Sequence, residues 1–257
     1  MNSYRKLLVL LTIAIPCFAL TQPKLKLENQ RIVPGETLRY KACWGPLTIG
    51  SAVTKVDKTI YKVGGKPCYN IEIMGQTNGL AKLFYVRDRW QSYIDTANIT
   101  THKAFRSIRE GNYELDEVVH FDHQNKKAEV KVLDKKTKAY VLKKNYDTPE
   151  NIRDVVAGFM VLRLIDLERY KKNDIITVNG FYEDEGYKID VEYVGKELVD
   201  TERGTMLCYR VRPVVPKNKV FNGKHAIDVW FSADRAHSIV RIRAKLFLGN
   251  LVINLEK

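Results

Sequence analysis

This sequence predicts an all-β, mainly antiparallel fold: a sandwich or barrel whose curved sheet takes one buried helix, near residues 149–167, into or across its mouth. Three observations carry that expectation. Short runs with a side-chain period of two recur along the chain, each the mark of a half-buried strand. Clusters of turn-forming residues separate them at regular intervals. A single segment switches to a helical period, and strands do not alternate with helices, so a parallel sheet is not expected.

The chain opens with an export pattern. Basic Arg5 and Lys6 precede an apolar run, Leu7–Leu20, interrupted by Pro16. Its 14 residues fall short of the roughly 20 needed to span a bilayer. Ala19 and Thr21 supply the small residues of a cleavage site before Gln22. Residues 1–21 therefore read as a cleaved secretory signal, and 22–257 as a single β-barrel-like domain. Cys17 is not expected to carry lipid, because Pro16 stands where a small, non-imino residue is needed. Loss of Arg5 and Lys6 lowers the formal charge from +13 to +11. An exported protein of that charge meets lipid head groups and other polyanions, so an anionic membrane surface is an expected partner and nucleic acid is not. Cys43, Cys68 and Cys208 allow at most one bridge, and a chain of this length can bury a core without a disulfide scaffold. With 45% hydrophobic residues it is neither disordered nor collagen-like.

The strand-like alternation begins at Leu38–Trp44, where Leu38, Tyr40, Ala42 and Trp44 share one side. It returns at 69–73, 83–85, 113–115, 119–121, 128–132, 189–193, 207–211, 227–231 and 239–247. Turn chemistry lies between, at 63–67, 122–126, 134–138, Asn222-Gly223 and Gly249-Asn250. The helical segment starts at Thr148-Pro149-Glu150, which offers a cap, a proline at the first position and an acid in the first turn. Ile152, Val155, Val156, Phe159, Leu162 and Leu167 then share a face. Val161, Leu164 and Ile165 make the other side apolar, the pattern of a helix buried on several sides. Arg163 falls about 20° from Ile152 on the helical wheel, in the middle of the apolar face. A buried guanidinium is tolerable only when paired. Asp95 and Glu110, acids in well-patterned strand segments, are its expected partners.

Motifs for chemistry are missing. No nucleophile elbow, phosphate loop or metalloprotease signature occurs. His120 and His123 are three apart, so on a strand they face opposite ways, and no third ligand lies nearby. No catalytic residue, metal or cofactor is expected.

A set of short motifs, in order and spacing, resembles a known family. They are Gly35-Glu-Thr-Leu-Arg-Tyr40, Trp44-Gly45, Gly50-Ser-Ala52, Ser92-Tyr93-Ile-Asp95, Glu110-Gly111-Asn-Tyr113, Phe121-Asp122, Leu162-Arg163, Tyr193-Val-Gly195 and Trp230-Phe-Ser232-Ala-Asp234. Together they resemble the bacterial domain-of-unknown-function family 3108, a group of exported envelope proteins, from about Pro34 to Leu255. One stretch departs from it: Ala236-His-Ser-Ile-Val240 stands where a proline is expected before the last strand pair. The resemblance implies a periplasmic or outer-membrane-associated protein with no established reaction. It also implies similarity to half-open β-barrels with helical plugs that carry lipids or lipoproteins across the envelope.

Trp44, Phe84, Tyr85, Trp90, Tyr93, Tyr113, Phe121 and Trp230 lie in strand-like runs near these motifs. Core packing is the plain role of such aromatics; lining a cavity for an acyl chain is the functional one. Trp44, Tyr85, Trp90, Tyr93, Tyr113, Phe159 and Trp230 are the candidate ligand-binding residues, and a binding or carrier module for an apolar or amphiphilic ligand is the leading expectation. An envelope scaffold gripping another protein through a sheet edge is the alternative, and a hydrolase with an unrecognised site the third. A cavity without convergent polar groups would favour the first, a filled interior with an exposed apolar patch the second, and a nucleophile–base pair in a cleft the third.

Overall fold

Alternation and turns draw the chain into one long antiparallel meander. The structure, a computed structural model, describes Leu27 and residues 31–78, 85–182, 185–214, 223, 225–247 and 249–257. The expected signal, residues 1–21, and Phe84 lie outside the described residues. The first half runs β1 (Thr37–Trp44), β2 (Leu47–Val63), β3 (Lys66–Thr77), β4 (Arg87–Asp95), β5 (Thr101–Glu110), β6 (Tyr113–Asp122), β7 (Lys127–Leu133) and β8 (Tyr140–Asp147). After the helix α1 (Val155–Leu164) come β9 (Ile175–Tyr182), β10 (Glu185–Thr201), β11 (Gly204–Pro213), β12 (Ile227–Ser232), β13 (Ile239–Leu246) and β14 (Gly249–Leu255).

All fourteen strands form a single antiparallel sheet in the order β8-β7-β6-β5-β4-β3-β2-β1-β14-β13-β12-β11-β10-β9. Each strand pairs with its sequence neighbour, except that β1 also pairs with β14, in the register Tyr40–Leu255 to Trp44–Leu251. That pairing joins the two halves at the middle of the sheet and leaves β8 and β9 as its two edges. Bulges at Ala42/Cys43, Trp230/Phe231, Tyr93/Ile94 and Tyr193/Gly195 bend the strands and curl the sheet. The edges approach each other without pairing, so the barrel stays open.

Residues between β8 and α1 fill the seam. Arg153 N–H donates to the Asn179 carbonyl (3.2 Å), Phe181 N–H donates to the Arg153 carbonyl (2.7 Å), and Thr148 N–H donates to Lys126 (2.9 Å). This corrects the expected helix start. Thr148, Ile152 and Arg153 spend backbone groups on Lys126, on Thr101 of β5 and on β9, and Asn151 has a positive φ of 53°, which a helix cannot contain. The helix begins after Asp154, whose carboxylate caps it by accepting from Ala157 N–H (3.1 Å). At its other end Ile165 is extended, and a short 3-10 turn follows at Leu167–Arg169.

Ten residues are too few for a helix to persist alone, so packing holds it. Val156, Ala157, Met160, Val161, Leu162 and Leu164 are buried in the main core with Tyr40, Ile71, Ile94, Val191, Val211 and Phe231. A second cluster, with Phe121, Val130, Ile152 and Phe181 among its members, fills the other half. Arg163, only 1% exposed, lies inside the main core, as its helical position predicts. Its partner is neither Asp95 nor Glu110. The guanidinium grips Glu36 with both terminal nitrogens (Nη2 to Oε1, 2.7 Å) and donates through Nε to the Ala236 carbonyl (3.1 Å). Glu36 sits in the turn before β1, outside any strand pattern. Asp95 instead accepts from Ala97 and Asn98 N–H in the β4–β5 turn, and Glu110 lies beside Asp88.

Two more groups close this end of the helix. Arg31 donates to the Ile165 carbonyl (3.0 Å), and His237 Nδ1 donates to the Arg163 carbonyl (2.8 Å). Burial holds His237 neutral, with its pKa down at about 4.

The geometry predicts an asymmetry between the two halves of the ion pair. Glu36→Gln strands a fully buried guanidinium and should cost about 3–5 kcal/mol in urea unfolding. Arg163→Met should cost less, because Glu36 is 17% exposed on its side chain and can reach water. Equal costs, or none, would contradict this. For His237 the sign follows from its lowered pKa: the unfolded chain takes up the proton first, so stability is full above about pH 6.5 and falls as pH drops toward 4, by up to about 3 kcal/mol. His237→Asn, which tolerates the local φ of 49°, should flatten that acid limb in urea titrations at several pH values.

Candidate functional site

The helix does not fill the curve of the sheet evenly. Its buried residues join a core with members from both halves of the sheet, and Val155, Gly158, Phe159 and Leu162 border an open trough against Val178, Phe181, Ile189 and Val191 of β9 and β10. Gly158 explains the space. It occupies a helix interior, where glycine costs about 1 kcal/mol against alanine, and a Cβ built on it meets nothing within 4 Å. The trough has a volume of about 140 Å³, close to the roughly 150 Å³ apolar cavity that accepts benzene. A ring or a short stretch of acyl chain fits there, not a whole lipid.

Phe181 and Tyr182 also line a small adjoining pocket of about 30 Å³, which in turn shares Trp90, Arg106 and Tyr182 with a second compartment of about 280 Å³. Trp90 stands between them, stacked on Tyr182 at 6.4 Å and covered by the Arg106 guanidinium at 5.5 Å. Arg106 also pairs with Glu117 (3.0 Å). The second compartment is polar. Arg106, Glu110, Tyr113 and Lys143 line it together with Trp90, Ile108, Leu115 and Tyr182. Burial and the charge of Asp88 hold the Glu110 carboxyl above the usual carboxylate range. Burial likewise raises Asp88, which accepts from Arg109 N–H (3.0 Å). An apolar slot thus lies next to a chamber with both signs of charge.

Asp154 lines both the trough and the small pocket. Besides capping the helix it accepts from the hydroxyls of Ser92 and Thr101 (2.7 Å for Thr101). Burial pushes its carboxyl above the usual range against those bonds. Ser92 is fully buried and its hydroxyl is turned toward this cap.

Of the seven candidate ligand residues, the structure brings three to the site: Phe159 in the trough, Trp90 in the small pocket and Tyr113 in the polar chamber. The other four belong elsewhere. Tyr93 points from the outer face, edge-on to Tyr61 (5.5 Å). Trp44 ends β1 against Gly249. Tyr85 is exposed in the approach to β4. Trp230 is buried, but on the opposite face from its neighbours Val229 and Phe231, in a small cluster with Val199, Cys208 and Val240. Arg210 and Arg243 sandwich its ring at 5.1 and 5.3 Å, and Arg210, Arg212 and Arg243 all bond Asp228. Burial pushes the Asp228 carboxyl up, and the three guanidinium groups more than reverse it, leaving it below the usual range. The pleat decides each case, since residues one apart face opposite sides. Sequence reading passed over Gly158, Phe181, Tyr182 and Arg106. A glycine inside an otherwise apolar helix was the available signal for the first.

His123 meets His102 (ring centroids 4.9 Å apart) and bonds the Thr101 carbonyl; it does not meet His120. Among the described residues no set of three His, Cys, Asp or Glu is placed to hold a metal, and no helix is long and apolar enough to cross a membrane. Cys43, Cys68 and Cys208 are free thiols, and burial raises Cys68 and Cys208 to about 11.

An antiparallel meander curled around one helix, open along one seam and hollow on one side of that helix, is a half-open, barrel-like β protein. This chain belongs to the family of proteins of unknown function DUF3108, whose model matches residues 39–256. Among solved structures it is similar to the beta-barrel-like protein of domain of unknown function DUF1849 from Brucella abortus, with a TM-score of 0.53 and 11% identity over 86% of this chain and 95% of that one. A Bacteroides fragilis protein described as exported with a YmcC-like fold gives a TM-score of 0.34 at 11% identity, covering 88% of this chain and 95% of that one. At such identities the first likeness shows the fold alone. No curated protein sequence matches the chain.

If Gly158 is there to keep the trough open, stability has been given up for it. Gly158→Ala should raise stability by about 0.5–1 kcal/mol in urea unfolding. A loss of stability would mean that the helix is packed at that point.

Proposed function

We propose that this protein is an exported binding or carrier module for an amphiphile, holding an apolar tail in the trough beside α1 and the polar head in the chamber beyond Trp90. The observation that carries this reading is the adjacency of the two spaces: an apolar slot beside a helix-interior glycine and a polar chamber lined by Arg106, Glu110, Tyr113 and Lys143 share Tyr182 as a common wall. Such a gradient suits a molecule with two unlike ends, and the few polar groups would orient it. The export pattern at Leu7–Leu20 supports placement in the envelope.

Binding of a fluorescent fatty acid tests the proposal. Wild-type protein should bind it, and Gly158→Leu, which fills the trough with an apolar side chain, should weaken binding at least about tenfold while leaving the melting temperature unchanged or raised. Phe159→Asp should weaken it also. An absence of binding by the wild type, or full binding by a folded Gly158→Leu protein, would remove the carrier reading.

A further inference from the structure

The β7–β8 hairpin carries a surface that neither the core nor the trough uses. Residues 135–145 are exposed at every position. The register sets Tyr140 opposite Leu133, Val141 opposite Val132 and Leu142 opposite Lys131, so Val141 faces one side of the sheet and its two neighbours the other. All three are nevertheless open, at 44, 43 and 54% exposure. The edge is therefore open to solvent on both faces, although Tyr140 borders a groove with Gln91 and Phe105 and Lys143 borders the polar chamber.

Charge surrounds this apolar tip. Residues 131–147 hold six lysines (Lys131, Lys135, Lys136, Lys138, Lys143 and Lys144) against Asp134 and Asp147. Asp134 is occupied by the turn, accepting from the N–H groups of Lys136 and Thr137. Lys135 pairs with Glu114 (2.7 Å), and Asp147 with Lys127 (2.6 Å). An exposed apolar edge invites pairing with another strand, but two copies of so basic a hairpin repel each other. An anionic lipid interface suits both features: the tyrosine and aliphatic residues enter among the head groups, and lysine stems lie along the apolar layer with their charges on phosphate.

We propose that the β7–β8 hairpin docks the protein on an anionic lipid surface, with Tyr140, Val141 and Leu142 inserted and the flanking lysines on the phosphates. The docking stands on the hairpin's own exposure and charge. It also deepens the carrier reading, because Lys143 of the same strand lines the polar chamber, so a docked hairpin brings that chamber to the membrane.

Flotation with lipid vesicles tests it. The protein should float with phosphatidylethanolamine vesicles containing about 30 mol % phosphatidylglycerol, stay behind with pure phosphatidylcholine, and be released by salt near about 0.5 M. At about fivefold per lysine, the triple variant Lys136→Glu, Lys138→Glu, Lys144→Glu should lower partitioning at least about a hundredfold. Leu142→Asp should detach the protein with an unchanged urea midpoint. Gly158→Leu, blocked in the trough, should still float, so a failure of docking and a failure of ligand uptake are read separately. Equal binding to both vesicle types, or undiminished flotation of the triple variant, overturns the proposal. So does a wild-type dimer in sedimentation that Leu142→Asp dissolves, since the edge would then serve a second copy.

Discussion

The pairing of Arg163 with Glu36 sets where the helix can lie. A guanidinium inside an apolar core is costly unless its charge and its N–H groups are met, and here a carboxylate takes two of them and the Ala236 carbonyl a third. Glu36 belongs to the turn before β1 and Ala236 to the turn between β12 and β13. One side chain therefore ties the last turn of α1 to strands on both sides of the β1–β14 joint. With Arg31 and His237 on the terminal carbonyls, the C-terminal end of the helix is anchored firmly. The N-terminal end has its own anchor in Asp154, bonded to Ser92 on β4 and Thr101 on β5.

Fixing both ends determines where the empty space falls. Large aliphatic residues bury the helix in the main core, while its side toward β9 and β10 carries Gly158 between Val155 and Phe159. With no side chain at Gly158, the sheet curled by bulges around the helix leaves a gap at that point. Because β8 and β9 do not pair, that gap opens outward along the seam and does not close into a void. The polar chamber lies where β4–β6 bring Arg106, Glu110 and Tyr113 to the concave side next to Lys143 of β8.

The two faces of the sheet divide the charges differently. Inside, Arg163 is matched by Glu36 and Arg106 by Glu117, while Asp154 is held by hydroxyl and N–H groups. Outside, Asp228 holds three arginines around Trp230, an arrangement in which cation–π contacts and ion pairs stiffen β11–β13 without touching the trough. Trp90 and Trp230 thus have much the same company, an arginine over the ring, with unrelated consequences.

Much of the architecture was legible because it depends on local periodicity. The alternation at Leu38–Trp44, at 189–193 and at 207–211 became β1, β10 and β11, and the apolar run with Arg163 in its midst became a buried helix with a buried charge. Family membership was legible from short motifs kept in order. Strands β2, β9 and β14 were not among those runs, nor were β5 and β8: the inner row of β5 contains Arg106, which hides its alternation, and β8 is exposed on both faces, so it has no apolar side to reveal. The helix start was misplaced because Thr148-Pro149-Glu150 carries genuine local signals, overruled by backbone bonds from Thr148, Ile152 and Arg153 to Lys126, Thr101 and β9. Tertiary structure alone decided which acid meets Arg163, which of seven aromatics reach the trough, and that β1 lies beside β14. These are pairings between residues far apart in sequence, chosen by how the whole sheet curls. A periodic pattern says which way a side chain faces relative to its neighbours, but not what will stand opposite it.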